Sequence, residues 1–176
     1  MCRTSPELAA LTGLRSAVFF EGALRQAIHG LKYRRDFILA DTLAEVLAKA
    51  WKRNSLPEAL VTPVPLSAER LRQRGYNQAA LLAQSFAERL GLPYTPESVQ
   101  RTRNTVSQVE LSVAERRANV AGAFVGQPNL VMDKTLILID DVCTTGATLV
   151  ACAQALRAAG AEAVWGLTLA RARHSR

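Results

Sequence analysis

Two acids and a short polar loop carry the chemistry of this sequence. Asp140 and Asp141 close the apolar run LILIDD, and Thr144, Thr145, Gly146 and Thr148 follow within one turn of a helix. Carboxylates at a strand end accept hydrogen bonds from vicinal hydroxyls and face a cationic centre. A helix N-terminus offers unpaired backbone N–H groups in a field that favours negative charge, and three threonine hydroxyls add to it. Val142, Cys143 and Ala147 complete the loop, and Gly146 lets the backbone approach a ligand with no Cβ in the way. Acceptors beside donors suit a phosphorylated ribose, with the sugar on the acids and the phosphate in the loop. The plainer alternative is a βα unit whose acids merely cap the next helix. A metal held directly by Asp140 and Asp141 would need another carboxylate nearby, whereas nucleotide sites let ligand phosphates bring the ion.

A second group is basic. Residues 63–78, PVPLSAERLRQRGYNQ, place Arg70, Arg72 and Arg74 just after a strand end, and guanidinium groups suit multidentate phosphate contact. Positions two apart diverge on a regular helix, so spacing alone does not aim all three at one ligand. The plainer reading is a solvated basic turn.

The elements that must hold these groups follow from periodicity. Leu136 to Ile139 is a continuous apolar run, as in a parallel strand covered on both faces, and the strand is expected to end at the acids. Leu60 to Val64 reads as a short strand and Ala163 to Ala170 as a closing one. Helices are expected over 21–33, 36–52, from Asn77 to Leu90, and over 146–159. The 36–52 helix carries Leu39, Leu43, Val46, Leu47 and Ala50 on one face. Asn77 is a cap, Gly91 and Pro93 end its helix, and Gly160 suits the position after the last one. Ser112 and Glu115 form a capping box after a polar stretch, 101–110, expected to be mobile. The first twenty residues show no clear pattern. Strands alternating with helices give an α/β fold, a mostly parallel sheet flanked by helices, with ligands beyond the carboxyl ends of its strands.

Composition bounds the rest. The 176 residues suit one domain, and 49% hydrophobic content is ordinary for a globular protein. Lys and Arg total 22 against 15 Asp and Glu, a net charge of +7 that favours phosphates or nucleic acid. Neither a helix-turn-helix signature nor a basic strand interleaved with aromatics stands out, which ranks plain DNA binding last. Cys2, Cys143 and Cys152 are odd in number and lack Cys-x-x-Cys spacing, so a reducing, cytoplasmic setting is expected. Cys143 reads best as a small side chain packed beside its strand, since no sequence neighbour would lower its pKa. No stretch reaches the ~18–20 apolar residues of a membrane span.

The strand, Asp-Asp and Thr-Thr-Gly-x-Thr string resembles the fingerprint of the type I phosphoribosyltransferases. Taken with PVPLS…RLRQRGYNQA and RTRNTVSQVELSVAERRANVAGAF, it resembles the ComF family, which includes GntX-type proteins and is linked to natural competence. The resemblance runs from about residue 20 to 170. It implies a type I phosphoribosyltransferase-like domain that binds phosphoribosyl pyrophosphate with its Mg²⁺, with Asp140 and Asp141 at the ribose and the loop 142–148 at the 5′-phosphate. It implies that the PVP block stands in the place of the pyrophosphate loop. It also implies a hood near the pocket carrying Arg101, Thr105, Gln108, Arg116 and Asn119. The activity implied is transfer of phosphoribose to a nitrogenous acceptor, and the different-class alternative is a ribose-phosphate sensor or scaffold in DNA uptake or repair. DNA or a competence-machinery protein is the implied partner. Many relatives begin with a four-cysteine zinc module, whereas only Cys2 precedes this domain, so no zinc is expected here.

Overall fold

A run of apolar residues in a strand projects alternately to two faces, so each face must find its own cover. The computed structural model describes residues 10–54, 57–103 and 113–172 and shows how both are covered. In chain order the elements are β1 (Gly13–Phe19), α1 (Gly22–Tyr33), α2 (Ile38–Arg53), β2 (Leu60–Pro63), α3 (Ala68–Arg74), α4 (Gln78–Leu90) and β3 (Val99–Arg101). Then come α5 (Val113–Val120), β4 (Phe124–Gly126), α6 (Pro128–Val131), β5 (Thr135–Cys143), α7 (Ala147–Ala158) and β6 (Ala163–Arg171).

The main sheet has the order β1-β6-β5-β2 and is parallel throughout. Ile137 and Ile139 of β5 pack with Ile28 and Leu31 of α1, Leu43 and Leu47 of α2, and Leu82 and Phe86 of α4. Leu136 and Leu138 pack on the other face with Leu149 and Leu156 of α7 and with Val99 and Phe124 of a small antiparallel pair, β3 and β4. The helix ends obey the capping rules. The Asn77 side chain accepts from the Ala79 N–H at 3.0 Å, and Gly91 turns left-handed at φ 65° to stop α4.

The parallel sheet and its flanking helices are as the sequence leads one to expect, and the stripe on α2 buries Leu43, Leu47 and Ala50. Four features differ. β1 rises from the unpatterned N-terminal region because it is an edge strand, half-exposed, with Arg15 and Ser16 breaking its alternation. The β3–β4 pair is three residues per strand, too short for a periodic signal. The basic segment after β2 is a helix, α3, capped by the Ser67 side chain and closed by Gly75 at φ 82°. Finally, β5 does not stop at the acids but stays paired with β6 as far as Cys143. Ser112 and most of the polar stretch lie outside the described residues.

One contact fixes α7 against the small sheet. A Cβ at Gly126 would fall 2.7 Å from both the Ala155 carbonyl oxygen and the Ala159 Cβ. Gly126→Val is therefore expected to cost about 1–3 kcal/mol through overpacking, read as a fall of roughly 2–10 °C in Tm by calorimetry. An unchanged Tm would show that α7 does not approach β4 this closely.

Candidate functional site

β2 and β5 are hydrogen-bonded neighbours, yet the chain leaves them in opposite directions. After β2 it reaches α4 on one face, and after β5 it reaches α7 on the other. Where successive crossovers diverge, the strand ends open into a crevice. Here that crevice is a cleft of about 720 Å³ lined by the acid pair, the whole of 142–148, and residues 64–67 beyond β2.

The acids sit inside β5, not past its end. Val142 packs with the α1–α2 cluster and Cys143 with the α7 cluster, the reverse of what alternation from Ile139 gives, so the register of faces slips by one across Asp140 and Asp141. The Asp141 N–H donates to Asp140 Oδ1 at 2.8 Å. Asp141 is buried, and its carboxylate forms an ion pair with Lys32 of α1. Asp140 is half-buried and opens toward the cleft. Burial and the neighbouring Asp141 charge push the Asp140 carboxyl well above the ordinary carboxylate value. Burial pushes Asp141 the same way, but the Lys32 charge and hydrogen bond outweigh it and hold Asp141 below that value.

The phosphate-type loop follows directly. Gly146 has φ 79°, a left-handed conformation that L side chains rarely adopt. An added Cβ there would meet only ordinary contacts at 3.8 and 3.9 Å, so the glycine is required by backbone conformation and not by crowding. Thr145 Oγ1 accepts from the Ala147 N–H at 3.3 Å, in the manner of an ST turn. Thr144 is exposed, Thr145 and Thr148 are half-buried, and Cys143 is buried. Behind the loop, burial and the nearby Asp140 push the Cys152 thiol well up, which keeps it unreactive.

Across the cleft stands the basic wall. Arg70 and Arg74 of α3 line it, and Arg72, two positions from each, points out to solvent. Arg74 donates to Gln78 Oε1 at 2.7 Å and lies 5.1 Å over the Tyr33 ring. Arg101, at the end of β3, reaches the cleft over the Phe124 ring at 5.3 Å. Burial, then the Arg70 and Arg103 charges, press its value down. Asn119 does not line the cleft, and its carbonyl accepts from Arg103 at 3.2 Å. Thr105, Gln108 and the Arg116 side chain lie outside the described residues.

Sequence reasoning missed the contribution of α1 and the turn after it. Phe20, Lys32, Tyr33 and Arg35 all line the cleft, and Arg35 holds φ 55°, a strained conformation for a non-glycine residue. The only sequence signal was the dense basic and aromatic run LKYRRD at a helix end. Among the described residues no three His, Cys, Asp or Glu side chains group as a metal cage.

Comparison with known proteins gives the family. Residues 73–176 match the phosphoribosyl transferase domain family. The chain is 39% identical over 153 residues to Competence protein F of Haemophilus influenzae, covering 81% of this chain and 66% of that protein. It is 36% identical to DNA utilization protein YhgH of Escherichia coli K12, covering 80% of this chain and 64% of that protein. The chain thus spans about two thirds of the length of these relatives. Among solved structures, the allosteric regulatory enzyme of purine biosynthesis superposes with a TM-score of 0.51 at 20% identity, covering 74% of this chain and 26% of that one. Glutamine phosphoribosylpyrophosphate amidotransferase from B. subtilis gives 0.50 at 22% identity, covering 73% and 25%. These likenesses show a fold of the type I phosphoribosyltransferase kind, and the chain belongs to the phosphoribosyl transferase domain family, within its ComF group.

Proposed function

We propose that this protein binds phosphoribosyl pyrophosphate with Mg²⁺ and transfers phosphoribose to a nitrogenous acceptor. The observation that carries this reading is the joint lining of one crevice by Asp140 and Asp141, the 142–148 loop, and Arg70 and Arg74. In this arrangement the ribose hydroxyls donate to the acids and the 5′-phosphate accepts from the amides and hydroxyls at the start of α7. The pyrophosphate meets Arg70 and Arg74, with Arg101 beside them. Lys32 already holds Asp141, so the protein is suited to an ion that arrives on the ligand's phosphates and not to one caged by side chains. That ion would supply charge neutralisation on the leaving group.

The reaction is displacement at the ribose C1. The bond from C1 to the pyrophosphate oxygen breaks, its electron pair leaves with pyrophosphate, and an acceptor nitrogen forms the new bond and releases its proton to water. Positive charge grows on the ring as it does in glycosyl chemistry generally. Fixed negative charge beside the ribose and fixed positive charge at the leaving group offset that change without reorganisation. No covalent residue takes part.

A second reading keeps the ligand site without turnover, as a ribose-phosphate sensor or scaffold working with DNA or a competence-machinery protein. The printed names of the relatives, which concern competence and DNA utilization, favour it.

Calorimetric titration with phosphoribosyl pyrophosphate and Mg²⁺, followed by pyrophosphate release with a panel of nitrogenous acceptors, separates the two. Binding with release supports transfer, and binding without release selects the sensor. Asp140→Asn with Asp141→Asn is expected to abolish binding while leaving the fold intact by circular dichroism, and unchanged affinity would overturn the ribose assignment. Arg70→Ala and Arg74→Ala should each weaken binding about 10- to 100-fold, the size of a lost charge-assisted hydrogen bond. Arg72→Ala should change it by less than about twofold, as for an exposed surface charge. An equal loss at all three positions would show that the wall is read only as net charge.

A further inference from the structure

The last turn of α1 touches both halves of the crevice. Leu31, Lys32 and Tyr33 are consecutive, and between them they engage β5 and the end of α3 with the turn after it. The Tyr76 hydroxyl, just past α3, donates to the Leu31 carbonyl. Lys32 pairs with Asp141 inside β5. Tyr33 lies beneath the Arg74 guanidinium, whose Nη2 stands 3.5 Å from its hydroxyl. One helix end therefore sets the spacing between the acids and the arginine wall.

We propose that Lys32 is a positioning residue for the ligand: from the end of α1 it fixes the carboxylate of Asp141 and ties the acid pair to the Arg70–Arg74 side of the cleft. This rests on the proposed binding of phosphoribosyl pyrophosphate. Neither the Asp-Asp loop nor the PVP block contains Lys32, which stands more than a hundred positions before the acids.

The geometry poses a problem that Lys32 solves. Two adjacent carboxyls in a buried place cannot both ionise readily, and the Asp141 N–H that donates to Asp140 Oδ1 offsets this for Asp140 only in part. The groups that face them are few. Asp141 faces Lys32 from α1, Asp140 from its own strand, and the Val142 N–H. Asp140 faces Asp141, Lys32 and the Cys152 thiol of α7. Arg101 of β3 faces Cys152 and Arg70. Among the described residues only Lys32 brings a positive charge directly against Asp141. It holds the Asp141 carboxyl below the ordinary carboxylate value, while the neighbouring Asp140 is pushed above it. A charged acceptor is thus present before a sugar hydroxyl arrives.

The sign follows for a variant without the cation. In Lys32→Met the Asp141 carboxyl titrates upward, because burial, the largest influence on it, is then opposed only by the hydrogen bonds with Asp140 and the Val142 N–H. At a given acidic pH the pair then holds more proton and less charge, and ligand binding weakens. Raising the pH removes that proton and restores the acceptor. The affinity deficit relative to wild type is therefore largest at low pH and shrinks as pH rises.

Two measurements test this. The first needs no ligand: the five aspartates are labelled at the carboxyl carbon and titrated by NMR, with Asp140→Asn and Asp141→Asn giving assignments. The Asp141 signal is expected to titrate below the ordinary value in wild type and about one unit or more higher in Lys32→Met, with Lys32→Arg close to wild type. The second is calorimetry with phosphoribosyl pyrophosphate and Mg²⁺ at pH 5.0, 6.5 and 8.0. Lys32→Met should bind more weakly than wild type, with the loss largest at the lowest pH and closing at the highest, and Lys32→Arg retaining the affinity. An Asp141 signal that does not move in Lys32→Met overturns the proposal, as does a pH-independent loss shared by Lys32→Arg. Should Lys32→Met not fold, a wild-type Asp141 signal above the ordinary value overturns it equally. Absence of binding by wild type overturns the proposed ligand, whereas the ligand-free titration reads the ion pair on its own.

Discussion

Two neighbouring parallel strands whose chains depart to opposite faces make everything else at this site necessary. β2 and β5 pair from Leu60↔Leu136 to Pro63↔Ile139, and beyond that point no helix can cover both strand ends at once. Strand ends left uncovered expose backbone and polar side chains to a concave space. The most polar residues of β5, Asp140 and Asp141, fall there because the apolar run that must be buried has ended. The same divergence leaves the N-terminus of α7 pointing into the opening, and it places α3 as the opposite wall.

A polar crevice backed by an apolar sheet brings an electrostatic difficulty. Burial favours the neutral form of both acids, and the Asp141 charge further disfavours ionisation of Asp140. The chain resolves this unequally, with one carboxyl pushed up and its neighbour held down. The face slip at 140–142 allows it, since Val142 turns back to the α1–α2 cluster and the acids occupy the transition. Unequal partners of this kind are how a single fold offers a charged group and a proton-bearing group side by side.

How much of this could be read from the chain varied with the length of each signal. The apolar run of β5, the stripe of α2, the caps at Asn77 and Gly91, and the polar loop after Cys143 are all local strings, and each found its place. The divergence of Arg72 from Arg70 and Arg74 follows from helical geometry, but only once α3 is known to be a helix. The continuation of β5 to Cys143 was hidden because polar residues in a strand look like its end, and pairing to β6 keeps it extended. Lys32 was invisible for another reason. Its importance comes from a tertiary meeting of α1 with β5, and nothing in LKYRRD says which strand that helix will lie beside.

The two margins of the main sheet are unlike. Beyond β2 the backbone of residues 93–95 closes the edge, with the Val61 N–H donating to the Pro93 carbonyl and the Thr95 N–H to the Val61 carbonyl, both at 2.8 Å. At the other margin β1 is seven residues long, with Val18 and Phe19 exposed and its neighbour β6 locked on by the close fit of Gly13 under Trp165. Among the described residues the sheet can grow only on that side. Any strand joining it would lie beyond β1, separated from β5 by both β1 and β6.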